Sequence, residues 1–358
     1  MSGRSAETVR PVASRPGRGV ASAGPAASER VDPAPTVLDG FDVAGFRRAV
    51  LDWYDAQGRR LPFRGTTDPY LVLVSESILQ QTQVSRGGPA WQTFVTRFPT
   101  VEALAAATPA DVLRAWRGLG YNRRALNLHR AARTIVDELG GRCPTDVAGL
   151  ERLPGVGPYT ARAIASIAFG TPVGAVDTNV RRVLGRAVGG GLGSLPAGAL
   201  QAVADTVVPP DRPADWTPAL MDIGSLLCRP RAPRCGACPV VDLCRGTATA
   251  AAAASLPEAV VTARPTTPGS GSDAPVVVGS SGRAPRERRP PFEQTSRWLR
   301  GRILDRLRAA HGDEWVALDA ELGVHDRAAV ETALAGLARD GLLELRSGDP
   351  PRARLPLS

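Results

Sequence analysis

The sequence predicts an all-α protein, and three observations carry that expectation. Apolar residues between Asp42 and Gly246 recur at three- and four-residue steps, as in Phe46, Val50, Leu51 and Tyr54 and again in Leu113, Trp116 and Leu119. That is the period of helices with one buried face. Gly and Pro interrupt the pattern roughly every 12 to 20 residues, which predicts a set of short helices rather than a few long ones. No sustained apolar–polar alternation argues for a sheet in this region.

The elements follow in chain order. Residues 1–38 are rich in Ala, Ser, Pro, Gly and Arg without periodicity and are expected to be a disordered tail. Residues 39–246 are the expected helical domain. Residues 247–290 open on an alanine run and continue through TTPGSGSD and SSGRAPRERRPP, the composition of a linker. Residues 291–358 regain order: GRILDRLRAA reads as one helix and AAVETALAGLARDGLLELR as a second helix turning into a strand. That ending predicts a small winged-helix-like module.

Composition narrows the class. Aromatic residues are only 5% against 43% hydrophobic overall, so the core must be built from Ala, Leu and Val. No apolar run is long enough to span a bilayer and the N-terminus lacks the apolar stretch of a secretory signal, so a cytoplasmic protein without a membrane partner is expected. A formal charge of +9 suits a nucleic-acid partner, because each neutralised phosphate releases counterions, although a basic tail on an ordinary enzyme would give the same number. There is no lysine: all 44 basic residues are arginine. A side-chain Schiff base is therefore excluded. With histidine confined to His129, His311 and His325, acid–base work falls to carboxylates, tyrosine or water.

Four of the five cysteines, Cys228, Cys235, Cys238 and Cys244, form a C-x6-C-x2-C-x5-C cluster. Thiolates at that density point to a metal rather than disulfides. By ligand chemistry alone zinc and an iron–sulfur cluster are both open. The run LPGVGPYTARAIASIAFG, from Leu153 to Gly170, sets Gly155 and Gly157 in a tight turn before Pro158 starts a helix. The amides of the Gly155-Val156-Gly157 turn could hold a phosphate, and alone the run could equally be a plain helix–glycine–helix turn. Asp177 follows an apolar run and precedes a helix, where it can cap the helix, face a pocket, or both. Glu76, in VSESILQQTQV, is flanked by Val72, Leu73, Ile78 and Leu79. If buried, its pKa rises toward neutrality, as a general acid requires; the alternative is a solvated helix glutamate.

DWYDAQGRRLPFR, SESILQQTQ, RGLGYNRRALNLH, LPGVGPYTARAI, AVDTNVRRVLGR and the cysteine loop stand in the order and spacing of the MutY-type adenine DNA glycosylases, which residues 42–246 resemble. The resemblance implies a helix-hairpin-helix DNA glycosylase fold: two helical subdomains with the active site between them, and a 4Fe–4S cluster on the cysteine loop. It implies an enzyme, acting as a monomer, that removes adenine mispaired with 8-oxoguanine or guanine from double-stranded DNA. Glu76 would protonate the leaving base and Asp177 would stabilise the oxocarbenium-like sugar, with Tyr159 and Asn179 supporting them. Gln81 and Tyr121 would wedge into the duplex, the hairpin turn would grip phosphate, and Arg59 and Arg64 would line the adenine pocket. Tyr159 stands where the endonuclease III branch has its attacking lysine, which implies a monofunctional enzyme.

The chain departs from the family pattern in four places. Phe63 replaces the tryptophan of LPWR, Asn122 replaces the second tyrosine of GYY, and Pro218 aligns with a Glu or Gln that reads the adenine edge. No MutT-like pattern follows residue 246, where many relatives carry their 8-oxoguanine reader. The nearest rival is a thymine/uracil mismatch glycosylase of the same fold; a non-enzymatic DNA binder would be expected to lack Glu76 or Asp177.

Overall fold

The computed structural model describes residues 36–191, 195–247, 290–319 and 321–358. The predicted tail and linker fall outside these, except at their edges. There Thr36–Leu38 forms a 3-10 turn rather than tail, and Arg245 donates to the carbonyl oxygens of Val37 and Asp39.

Among the described residues of 36–247 there is no strand. The helices are α1 (Val43–Gln57), α2 (Pro69–Leu79), α3 (Val84–Arg97), α4 (Val101–Ala105), α5 (Pro109–Ala115), α6 (Arg123–Arg133), α7 (Val147–Glu151), α8 (Pro158–Phe169), α9 (Thr178–Ala187), α10 (Ala197–Thr206) and α11 (Pro213–Asp222). Their starts are written locally. Asp42, Asp68, Thr100, Thr108, Asp146 and Asp177 each accept a first-turn amide through the side chain, and Pro69, Pro109 and Pro158 open helices where a missing N–H costs nothing. The turns around Thr134–Glu138 and Ile223–Leu227 are π-helical, and the second runs directly into Cys228.

These helices bury two cores. The first joins α2 to α8 around Leu73, Ile78, Phe94, Leu113, Trp116 and Ile164. The second joins α1 to α9, α10, α11 and the cysteine loop around Phe46, Val50, Leu184, Leu220 and Ile223. Phe46 meets Trp216 edge-to-face with ring centroids 5.8 Å apart, so the first helix closes a core supplied mostly from far along the chain. Helix α11 packs on α1, α8 and α9 and sits at the junction of the two cores. This is the predicted pair of helical subdomains.

The C-terminal residues form α12 (Ser296–Ala309), β1 (Val316–Ala317), α13 (Arg327–Arg339), β2 (Glu344–Arg346) and β3 (Arg352–Arg354). The sheet order is β1-β3-β2, antiparallel throughout, with Leu345 opposite Ala353. Helix, strand, helix and hairpin in this order make a winged-helix-like module. It is continuous with the first core: Leu299, Ile303, Leu304 and Leu337 belong to the same apolar cluster as Leu113. Polar ties fix the join. Arg308 donates to the Leu113 carbonyl (2.9 Å) and to Asn122 Oδ1 (2.6 Å), Arg114 to the Gly312 carbonyl (2.6 Å), and the Ala110 amide to the Pro356 carbonyl (2.9 Å). Asn122, a departure from the family pattern, is thus the side chain that receives this module.

Candidate active site

A cavity of about 520 Å³ opens between the two cores, and Glu76, Tyr159, Asp177 and Asn179 all line it. Glu76 comes from α2, whose apolar residues bury nearly everything around it. Burial pushes its carboxyl from 4.5 up to about 7; a hydrogen bond with the Tyr159 hydroxyl opposes the rise, Asp177 adds to it, and Arg64 pulls weakly the other way. Near neutral pH a large fraction of Glu76 therefore carries a proton it can donate into the cavity. Tyr159, in the first turn of α8, is held neutral by the same burial and by the two carboxylates; its hydroxyl also lies 3.8 Å from the Met221 sulfur.

Asp177 meets a different environment. It caps α9, with Oδ1 accepting the amides of Asn179 (2.8 Å) and Val180 (2.7 Å) and Oδ2 accepting Asn179 Nδ2 (2.8 Å). These three N–H donors fix the carboxylate at the start of α9 while it lines the cavity. Both roles open for Asp177 in the sequence are therefore realised together. Asn179 is held in turn by Arg182, whose guanidinium donates to Asn179 Oδ1 (2.7 Å), the Gly224 carbonyl (2.5 Å) and the Cys228 carbonyl (2.5 Å). An added Cβ on Gly224 would stand 2.6 Å from the Asn179 Cβ, so only glycine lets the cysteine-loop approach come this close.

Arg59 and Arg64 line the cavity as expected, but their charges are already committed. Both close on Asp222, whose side chain is fully buried. Arg59 Nε donates to Oδ1 (2.7 Å), and Arg64 donates to Oδ2 through Nη1 (2.6 Å) and to Oδ1 through Nη2 (2.8 Å). Burial would raise the Asp222 carboxyl, but hydrogen bonds from Arg64 and Arg59 outweigh it and hold the pKa below the ordinary value. Asp222 itself was missed, although a lone carboxylate in the apolar run MDIGSLL is the signal that found Glu76.

Gln81 and Tyr121 sit on two turns in left-handed backbone, at φ 56° and 45°, and Tyr121 is 50% exposed. One side chain ties the turns together. Arg124 donates to the carbonyls of Ser77, Ile78 and Gln80 on one side and of Leu119 and Gly120 on the other. Sequence alone gave Arg124 no role, because its partners come from a distant loop. In the hairpin turn Gly155 has φ 81°, and a Cβ there would stand 2.6 Å from the Asn127 Cβ. The Val156 side chain is buried and its amide donates to the Leu153 carbonyl (3.0 Å), so it does not offer the outward amide expected of it. Gly155 and Gly157 remain the candidates in that turn. Phe63 lines the cavity edge-on to Trp91, and Pro218 lines it from α11 with its carbonyl toward Arg64.

The four cysteines surround a second cavity, of about 270 Å³, walled by Val183, Ile223, Leu227 and Val240. Burial pushes the Cys238 thiol up to about 11 against a backbone hydrogen bond at Val240, and the other three sulfurs add to the rise. Among the described residues no three Cys, His, Asp or Glu side chains draw together enough to hold a single ion. The donors are four sulfurs around an apolar space, with Arg186 Nη1 at 3.4 Å from Cys228 Sγ. This set fits a group larger and softer than one zinc ion.

Known proteins share these features. Residues 74–190, which hold Glu76, the hairpin and Asp177, match the HhH-GPD superfamily of base excision DNA repair proteins. The chain is therefore a DNA glycosylase of that superfamily. It is 40% identical over 299 residues to the adenine DNA glycosylase of Mycolicibacterium smegmatis, covering 82% of this chain and 91% of that one. The human adenine DNA glycosylase is 43% identical over 219 residues, 58% of this chain and 40% of its own. Among solved structures, a thermostable thymine-DNA glycosylase superimposes with a TM-score of 0.54 at 31% identity, covering 57% of this chain and 96% of that one. The chain belongs to the adenine DNA glycosylase family. Among its described residues no helix is long and apolar enough to cross a membrane.

Proposed function

We propose that this protein is a monofunctional glycosylase that, as a monomer on mismatched double-stranded DNA, hydrolyses the bond between adenine and its deoxyribose when the adenine faces 8-oxoguanine or guanine. The carrying observation is one cavity lined by two carboxylates in different settings: Glu76 raised to about 7, and Asp177 held in place by three N–H donors. An extruded adenine nucleotide needs that asymmetry. Glu76 gives its proton to the departing base while the C1′–N9 electron pair leaves with the adenine. The sugar becomes cationic and the Asp177 carboxylate stabilises it. Water then adds at C1′ and its proton returns to a carboxylate, leaving an abasic site. Tyr159 stands where a lysine would nick the strand, and the sequence supplies no other side-chain amine.

Cys228, Cys235, Cys238 and Cys244 would hold a 4Fe–4S cluster, which in this position would brace the loop and break no bond. Through Cys228 and Gly224 the same loop carries the acceptors that orient Arg182, Asn179 and so Asp177. The purified protein should be brown, with absorption near about 400 nm.

A single-turnover panel of A:8-oxoguanine, A:G, T:G and U:G duplexes tests the reading, since a thymine-DNA glycosylase shares this fold. Adenine release without strand cleavage is expected. Release of thymine or uracil alone would overturn the choice of base. Asp177→Asn should keep DNA affinity and lose about 10²–10³-fold or more in rate, because the anion opposite the cationic sugar is gone.

A further inference from the structure

Helix α12 carries five arginines, and four of them are ion-paired: Arg300 with Asp340, Arg302 and Arg308 with Asp305, and Arg306 with Asp319. The fifth, Arg297, is exposed in the first turn and has neither an ion pair nor a hydrogen bond among the described residues. Its guanidinium lies 5.1 Å from the centroid of the Tyr121 ring, and its Nη2 is 3.9 Å from where a Cβ on Gly120 would stand. The uncommitted charge of α12 is therefore held against the exposed, left-handed Tyr121, whose turn Arg124 ties to that of the cavity-lining Gln81.

The helix that carries Arg297 is anchored. Arg308, three turns along the same helix, is almost fully buried and bonds Leu113 and Asn122, the residue directly after Tyr121. Leu299, Ile303 and Leu304 anchor the helix in the first core. Arg124, on the other hand, spends both terminal nitrogens on protein carbonyls and has its Nε buried, so it presents no donor to a ligand. A guanidinium with free donors, carried on an anchored helix beside an exposed aromatic, is suited to a phosphodiester oxygen flanking a stacked or inserted ring. We infer that Arg297 contacts a backbone phosphate of the duplex next to the Tyr121 wedge, making the winged-helix-like module part of the DNA-binding face. The inference rests on the glycosylase reading above and deepens it.

The test uses the full chain and a duplex bearing a tetrahydrofuran abasic analogue opposite 8-oxoguanine, with affinity measured across a salt series. Arg297→Ala should weaken binding several-fold at low salt and reduce the slope of log affinity against log salt by about 1, the signature of one lost phosphate contact. Arg297→Lys should restore most of the slope. Arg302→Ala, which removes an equal but ion-paired charge from the same helix, should leave the slope unchanged. An unchanged slope in Arg297→Ala, or an equal fall in Arg302→Ala, overturns the inference. Adenine excision by the unaltered chain is measured in parallel: its absence overturns the underlying reading, whereas normal excision with an unchanged Arg297→Ala slope overturns the inference alone.

Discussion

Glu76 on α2, half-buried in the wall of the cavity, and Asp222 at the end of α11, fully buried beside it, are both carboxylates under a desolvation penalty, yet their pKa values move in opposite directions. Glu76 rises to about 7, while Asp222 falls below its ordinary value. Burial acts the same way on both. Two guanidiniums make the difference: Arg59 and Arg64 are used up on Asp222, and Glu76 is left with a tyrosine hydroxyl and a repelling aspartate. Burial sets the size of the penalty, and the arginines decide which carboxylate escapes it. One wall of the site therefore holds a carboxyl that can carry a proton near neutral pH, and the other holds a fixed salt bridge that shapes the pocket.

Variants can break this contrast, and the largest effect should come from Glu76, the proposed proton donor. Glu76→Gln should lower the single-turnover rate by about 10²–10⁴-fold with affinity nearly unchanged, as for loss of a general acid; a rate within a few-fold of the parent would remove Glu76 from the chemistry. Asp222→Asn should instead destabilise the fold by about 3–5 kcal/mol in denaturant melts, because two partly buried guanidiniums lose their counter-charge. A loss under about 1 kcal/mol would mean the bridge is no better than a surface pair.

The two sites should also respond to pH with opposite signs. The folded-state pKa of Glu76 is raised from 4.5 to about 7, so its share of stability is intact below 4.5 and lost as pH climbs to about 7. Glu76→Gln should therefore melt higher than the parent at pH 8, with the gap closing by pH 4. The Asp222 pKa is lowered from 3.8, so its share is intact above that value and lost as pH falls through the depressed one; the deficit of Asp222→Asn should shrink in acid. The smallest effect is expected from Tyr159→Phe. The excision rate should fall as pH rises through about 7, and removing the Tyr159 hydroxyl, which holds the Glu76 pKa down, should move that limb upward by less than about one pH unit. A downward move would reverse the assigned role.

Much of this site was legible in the sequence because its signals are local. The glycine turn, the capping Asp177 and a carboxylate within LVLVSESIL each occupy a window of a few residues, and the cysteine spacing fits within 17. What stayed hidden depends on partners far apart. Asp222 meets Arg59 and Arg64 across 163 and 158 positions, so neither end announces the other. Arg124 and Arg182 bond mainly to backbone carbonyls, which every residue has and no pattern marks. The docking of the C-terminal module was equally invisible: Asn122 read as a departure from the family until Arg308, 186 positions later, was found bonded to it.

The division into two cores has a consequence for how the chain is made. Residues 70–173 supply most of the first core in sequence order, and that part can begin to assemble as it leaves the ribosome. Helix α1 emerges earlier still, but its partners Val183, Leu200 and Trp216 follow more than a hundred residues later, an interval on the order of ten seconds at ordinary rates of synthesis. During that wait Phe46, Val50 and Trp53 have no native surface to cover them. The earliest helix among the described residues is thus among the last to be covered, and until then it offers an apolar face that a holding chaperone could shield.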